Sequence, residues 1–106
     1  MIRCMCVVQA GQTPDNSQAA LTEKLNIFSE KAFGQPASIL WTAVPAASGF
    51  TAAKPSTSSI VSFTAEQPVA QEKRVSLLQD LCDLWTGETG CSVNEIVAVI
   101  NDPQVQ

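Results

Sequence analysis

The chain has 106 residues, of which 45% are hydrophobic and only 15% charged, with a formal net charge of -4, four cysteines and no histidine. That length supports one buried core and is too short for two, and six basic residues scattered from Arg3 to Arg74 form no nucleic-acid footprint. Without histidine there is no Ser-His-Asp or Cys-His pair and the commonest zinc partner is missing, so any chemistry runs on an amine, a carboxylate, a thiol or bound water.

Residues 2–8 are a short apolar run with β-branched members, ended by Gly11, and read as a strand buried on both faces. Cys4 and Cys6, two apart, share one side of that strand. Packing as small hydrophobes suits them better than metal binding, whose usual spacing is absent. Thr13-Pro14-Asp15 then sets a hydroxyl at a helix N-cap, a proline at the first helical position and a carboxylate in the first turn. Leu21, Leu25, Phe28 and Ala32 draw one apolar stripe, and Gly34 and Pro36 end the helix. Residues 38–44 are rich in strand formers and are closed by Pro45. The stretch 46–58 is small and polar, without a period, and longer than a usual connection; it reads as a loop that is mobile or functional.

Residues 59–64 are again strand-like, and Glu66-Gln67-Pro68 is expected to open a second helix. Val75, Leu78, Leu81, Cys82 and Trp85 repeat the stripe, Leu77 and Leu84 widen it, and Gly87 is expected to break it. Residues 95–100 form the last strand, terminated by Asn101-Asp102-Pro103.

The halves match in order and offset. Leu21 aligns with Leu78, Leu25 with Cys82, Phe28 with Trp85 and Ile39-Leu40 with Ile96-Val97, each 57 positions apart. Each half is a strand–helix–strand unit, so its two strands should be parallel and its crossover right-handed. One domain over 1–106 is expected, with a first βαβ unit at 1–45, a loop at 46–58 and a second unit at 59–103. The fold class is α/β or α+β: a four-stranded sheet with two helices on one face. Leu40, Trp41, Ile60, Val61, Phe63 and Val97 lie in runs apolar on both sides, which predicts that copies of the chain cover the second face as a closed ring. No run of about 18 apolar residues and no secretory leader is present, so the expected location is cytoplasmic and away from membranes.

Two βαβ units in about a hundred residues, Gly34-x-Pro36 before the second strand, V-x-x-I-V-A-V-I-N-D at 93–102 and the helix from Gln71-Glu72-Lys73 onward resemble the tautomerase superfamily. The branch is the one holding the macrophage migration inhibitory factor-like tautomerases and the malonate semialdehyde decarboxylase group, and the likeness runs to Pro103. The resemblance implies a homotrimer around a barrel-like centre, with sites near subunit boundaries at the start of the first strand. It also implies small α-keto or unsaturated carboxylic acids as substrates, and neither cofactor nor metal. The family's N-terminal proline supplies an amine for proton transfer; an α-amino group titrates at about 8 in peptides, and desolvation brings it closer to neutrality. Here the matching position is Ile2, whose bulk is expected to leave Met1 in place, so Met1 and Ile2 are the catalytic positions to examine. The family's arginines near the second helix are matched by Gln67 and Val69, and its lysine after the first helix by Gln35. None of these offers a bidentate carboxylate fork, which weighs against dehalogenase and decarboxylase activity.

The remaining candidates have two readings each. Arg3 can bind a substrate anion or stand as a solvated or interface charge, since it points opposite to Ile2 and Cys4. Lys54 can reach over a pocket or be an exposed loop lysine. Gln35 and Gln67 complete the substrate-binding set. Lys73 and Arg74 read as the polar side of the second helix, and Trp41 and Trp85 as core or interface aromatics. Three functions follow: a keto–enol isomerase using the amine of Met1, a non-catalytic trimer binding a small ligand or a protein, and thiol chemistry at Cys4 or Cys6.

Overall fold

Along β1 (Ile2–Gln9) buried Ile2, Cys4 and Cys6 alternate with exposed Arg3 and Met5, and this period of two sets the architecture. The computed structural model describes residues 1–10, 17–45, 48–51, 53–55 and 58–103. From β1 the chain passes through α1 (Ser17–Phe33) to β2 (Ala37–Val44), which lies parallel to β1 from Ile2 opposite Ala37 to Gln9 opposite Val44. A short antiparallel hairpin, β3 (Phe50–Thr51) and β4 (Lys54–Pro55), leads to β5 (Ser59–Thr64). Then α2 (Gln71–Thr89) and a single 3₁₀ turn at Val93–Glu95 lead to β6 (Ile96–Asn101), parallel to β5. The sheet order is β2-β1-β5-β6, with the central pair β1 and β5 antiparallel.

Both helices pack on one face. Ile2, Cys4, Cys6, Val61, Phe63 and Ile100 from the strands share a core with Leu21, Leu25 and Phe28 of α1 and Leu81 and Trp85 of α2. Aromatic contacts knit the two units together: Phe28 lies 5.3 Å from Phe63, and Trp41 stacks at 6.0 Å on Trp85 while its indole N–H donates to Thr22. Among the described residues no helix is long and apolar enough to cross a membrane.

Several expectations need correction. Within one protomer the strands are covered on one face only, the other being the face expected to meet copies of the chain: Trp41, Val61 and Phe63 turn to the helices, whereas Leu40 is 60% exposed, Met5 and Val97 49% and Ile60 42%. The stretch read as a loop at 46–58 contains the β3–β4 hairpin, which turns through Ala53 in the left-handed region. The capping pattern Thr13-Pro14-Asp15 falls outside the described residues. Residues 66–70 do not begin the second helix, because their polar groups are used elsewhere: the Val69 amide donates to Asp102 at 3.0 Å and Arg74 donates to the Val69 carbonyl at 3.0 Å. Helix α2 therefore starts at Gln71 with no side-chain cap.

Nor does Gly87 break α2, which runs on to Thr89 and ends at Gly90, whose φ of 75° is the left-handed conformation that glycine adopts freely. A glycine inside a helix costs only about 1 kcal/mol, too little to stop one held by packing. The two glycines should respond to alanine with opposite signs, since an added Cβ meets nothing within 4 Å at either. Gly87→Ala should stabilise by about 0.5–1 kcal/mol, and Gly90→Ala should destabilise by about 1–2 kcal/mol. Urea denaturation followed by far-UV circular dichroism measures both.

Candidate functional site

Because β5 runs against β1 and β6 runs with β5, the start of the first strand meets the ends of the last two. The register lines up Ser38, Arg3, Thr64 and Asn101 in one cross-strand row on the helix-free face. At this end lies a hollow of about 870 Å³ bordered by Met1, Arg3, Thr64, Glu66, Asn101 and Asp102. That volume is within the range of small-molecule sites.

Two carboxylates face the hollow, and each has partners. The α-ammonium of Met1 donates to Glu66 Oε1 at 3.5 Å, and Gln35 Nε2 donates to Glu66 Oε2 at 3.1 Å. The Gln35 hydrogen bond lowers the Glu66 pKa against the opposing effect of desolvation, and the charge of the Met1 ammonium adds to the lowering. Asp102 accepts from the Val69 amide and, at 2.6 Å, from Arg74 Nη2; these bonds, the amide first, lower its pKa too. Arg74 is thus not a free polar residue of α2 but the clamp that holds the 66–70 segment to the end of β6. Asn101 donates to Ser62 Oγ at 3.2 Å. Arg3 makes no ion pair among the described residues, so its guanidinium is available to an anion in the hollow.

The expected site residues separate as follows. Met1 and Arg3 border the same hollow. Gln35 orients Glu66, and with Gln67 and Lys73 it lines a second hollow of about 260 Å³ on the other side of Glu66. Ile2 is only 1% exposed; its side chain is core, and its amide donates to the Pro36 carbonyl. Lys54 is exposed in the hairpin region that packs by Gly49 against Gln9, at the far end of β1, about 25 Å from Met1 in an eight-residue strand. The structure does not bring Lys54 to the hollow of its own protomer.

Glu66, Asn101 and Asp102 were not among the expected site residues. Their signal was present in the topology, since a strand antiparallel to the first must end where the first begins. The thiols offer little: Cys4 and Cys6 are buried with sulfurs 3.8 Å apart, and the hydrogen bond between them, followed by burial, pushes the Cys6 thiol far up. Such a sulfur is held away from the thiolate form that reacts.

Two consecutive βαβ units, with paired helices on one face of a β2-β1-β5-β6 sheet, give the chain the fold seen in tautomerase-superfamily structures. Solved structures share this fold. The structure of native Ps01740 is 21% identical, with a TM-score of 0.87 over 97% of this chain and 95% of that one. A fused 4-OT, a wild-type symmetric trimer, is 15% identical, with a TM-score of 0.83 over 95% of this chain and 85% of that one. The macrophage migration inhibitory factor-like protein from Entamoeba histolytica is 11% identical, with a TM-score of 0.75 over 97% and 89%. No protein-family profile matches the chain, and no curated protein matches it significantly in sequence.

Proposed function

We propose that this chain is a keto–enol isomerase of the tautomerase type, acting on a small α-keto or unsaturated carboxylic acid with the primary amine of Met1 in place of a proline nitrogen. The observation that carries the reading is the convergence on one hollow of the Met1 ammonium, the Glu66 carboxylate and the Arg3 guanidinium, which has no ion pair among the described residues. Arg3 holds the substrate carboxylate. In the enol-to-keto direction the ammonium gives a proton to the carbon, the enol hydroxyl gives its proton to Glu66, and Glu66 returns that proton to the amine across their contact. Atoms and charges balance over the cycle, and both groups end as they began. Ile2 serves the core, and Gln35 positions Glu66.

The assembly proposed is a homotrimer joined through the helix-free face. Its support is the set of exposed apolar residues there and the trimeric state of the fused 4-OT of the same fold. Such a ring would bring a neighbouring subunit to the rim of each hollow.

The test is ketonisation of phenylpyruvate enol before and after selective acetylation of the α-amine, with mass spectrometry to confirm Met1 at the N-terminus. Acetylation is expected to lower kcat/KM at least about 100-fold, the usual worth of a positioned proton-transfer group. Unchanged activity would overturn the role of the amine. A second reading, a non-catalytic trimer that binds a small acid or a protein, is favoured by Gln67 and Val69 standing where carboxylate-binding arginines are expected. Saturable acid binding with no turnover on a panel of α-keto and unsaturated acids would select it.

A further inference from the structure

The apolar stripes of α1 and α2 are wider than the core requires, and the excess is placed on the outer surface. Leu77 and Leu84 are half-buried and Ile27 is 47% exposed, and with Phe28 they line a groove of about 370 Å³ between the helices. The helices are antiparallel, since each runs back along its own unit and β1 opposes β5. The last turn of α1 therefore meets the first turn of α2, and this places Lys31 and Lys73 at one end of the groove. Neither lysine has an ion pair among the described residues. At the opposite end Lys24 is bonded to Glu88 at 2.7 Å, which ties α1 to α2 there. Asp80 stands on the wall between.

In a chain of net charge -4, three of the six basic residues thus border one apolar trough, and the two uncommitted ones share one end. We propose that this groove binds a free aliphatic carboxylate, its head between Lys31 and Lys73 and its chain along Ile27, Phe28, Leu77 and Leu84. The occupant follows from complementarity. The cationic end selects an anion, the trough rewards removal of a hydrocarbon chain from water, and the Lys24–Glu88 pair limits its length. From Lys31 to Lys24 is seven residues, or about 10 Å of helix at 1.5 Å per residue, which suits a chain of medium length. A peptide helix, itself about 10 Å wide, is a poor match for so small a trough. The groove is on the face away from the proposed subunit contacts, so assembly leaves it open. The inference does not depend on the isomerase reading.

Isothermal titration calorimetry of the whole chain with decanoate tests it. Saturable binding is expected at one decanoate per chain, at least tenfold tighter than decyltrimethylammonium of equal chain length. In the Lys31→Glu, Lys73→Glu double variant the preference should reverse, a gain of binding that misfolding cannot produce. Arg3→Ala should leave decanoate affinity unchanged, which separates the groove from the hollow beside Met1. The proposal is overturned if decanoate shows no saturable binding, if the double variant keeps the wild-type preference, if Arg3→Ala abolishes binding, or if only anionic lipid vesicles bind.

Discussion

Replacing Ile60 with lysine is expected to leave the protein monomeric at concentrations where the proposed trimer of the unaltered chain forms. Ile60 lies on β5, in the middle of the sheet, with Val7 of β1 on one side and Val97 of β6 on the other. In the next row Leu40 lies beside Met5. These side chains form an apolar surface on the side away from both helices, and Met5, Leu40, Ile60 and Val97 are each between 42% and 60% exposed. A cation placed at the centre of a dry interface, with no counter-charge supplied, costs several kcal/mol. At about 1.4 kcal/mol per factor of ten, association should weaken by roughly a thousandfold or more. Ile60 points away from the core, so the folded protomer should survive, with an unchanged far-UV spectrum and little change in its denaturation midpoint. Sedimentation equilibrium reads the outcome. A variant that remains trimeric, or an unaltered chain that is monomeric, would show that the ring closes elsewhere or does not form.

That surface also explains which parts of the structure were legible in the sequence. The 57-residue offset between the halves exposed the repeat, and the repeat with its parallel units accounts for the sheet and for the helices on one side. What the pattern could not do was divide apolar residues between a core and an interface. In β5 both Ile60 and Val61 are strand-forming and apolar, yet Val61 is fully buried under the helices and Ile60 is not. Hydrophobicity reports that a face avoids water, whichever molecule covers it.

The ends of α2 were misplaced for a different reason. Thr86-Gly87-Glu88-Thr89-Gly90 contains two glycines, and only the backbone shows that the second takes the left-handed turn. At the other end, Glu66-Gln67-Pro68 has the composition of a helix start, but Asp102 and Arg74 bind the backbone at Val69 from elsewhere in the chain. The site divides along the same line. Of the residues that border the hollow, Met1 and Arg3 were legible because they lie at the start of the first strand. Glu66 was hidden, because its contact with Met1 spans 65 residues and exists only through the antiparallel pairing of β1 with β5.

Glu66→Gln should then lower kcat for ketonisation by about 100-fold to 10,000-fold with little change in KM. Glutamine keeps the size and a hydrogen-bonding oxygen for Gln35, but it can neither take the enol proton nor return it to the amine. Arg3, which holds the substrate carboxylate in this scheme, is untouched, so binding should persist. The pH dependence supplies a second reading. Because the Gln35 hydrogen bond and the Met1 ammonium lower the Glu66 pKa, the carboxylate stays ionised as the solution is acidified through the ordinary glutamate range. Activity should therefore hold through that range and fall only below it, as Glu66 takes up a proton. Gln35→Leu removes the largest cause of the lowering and should move the acid limb of kcat/KM upward, whereas Glu66→Gln should abolish the limb together with most of the rate. An acid limb that stays in place in both variants would mean that another group accepts the enol proton and that Glu66 only anchors the chain's first residue.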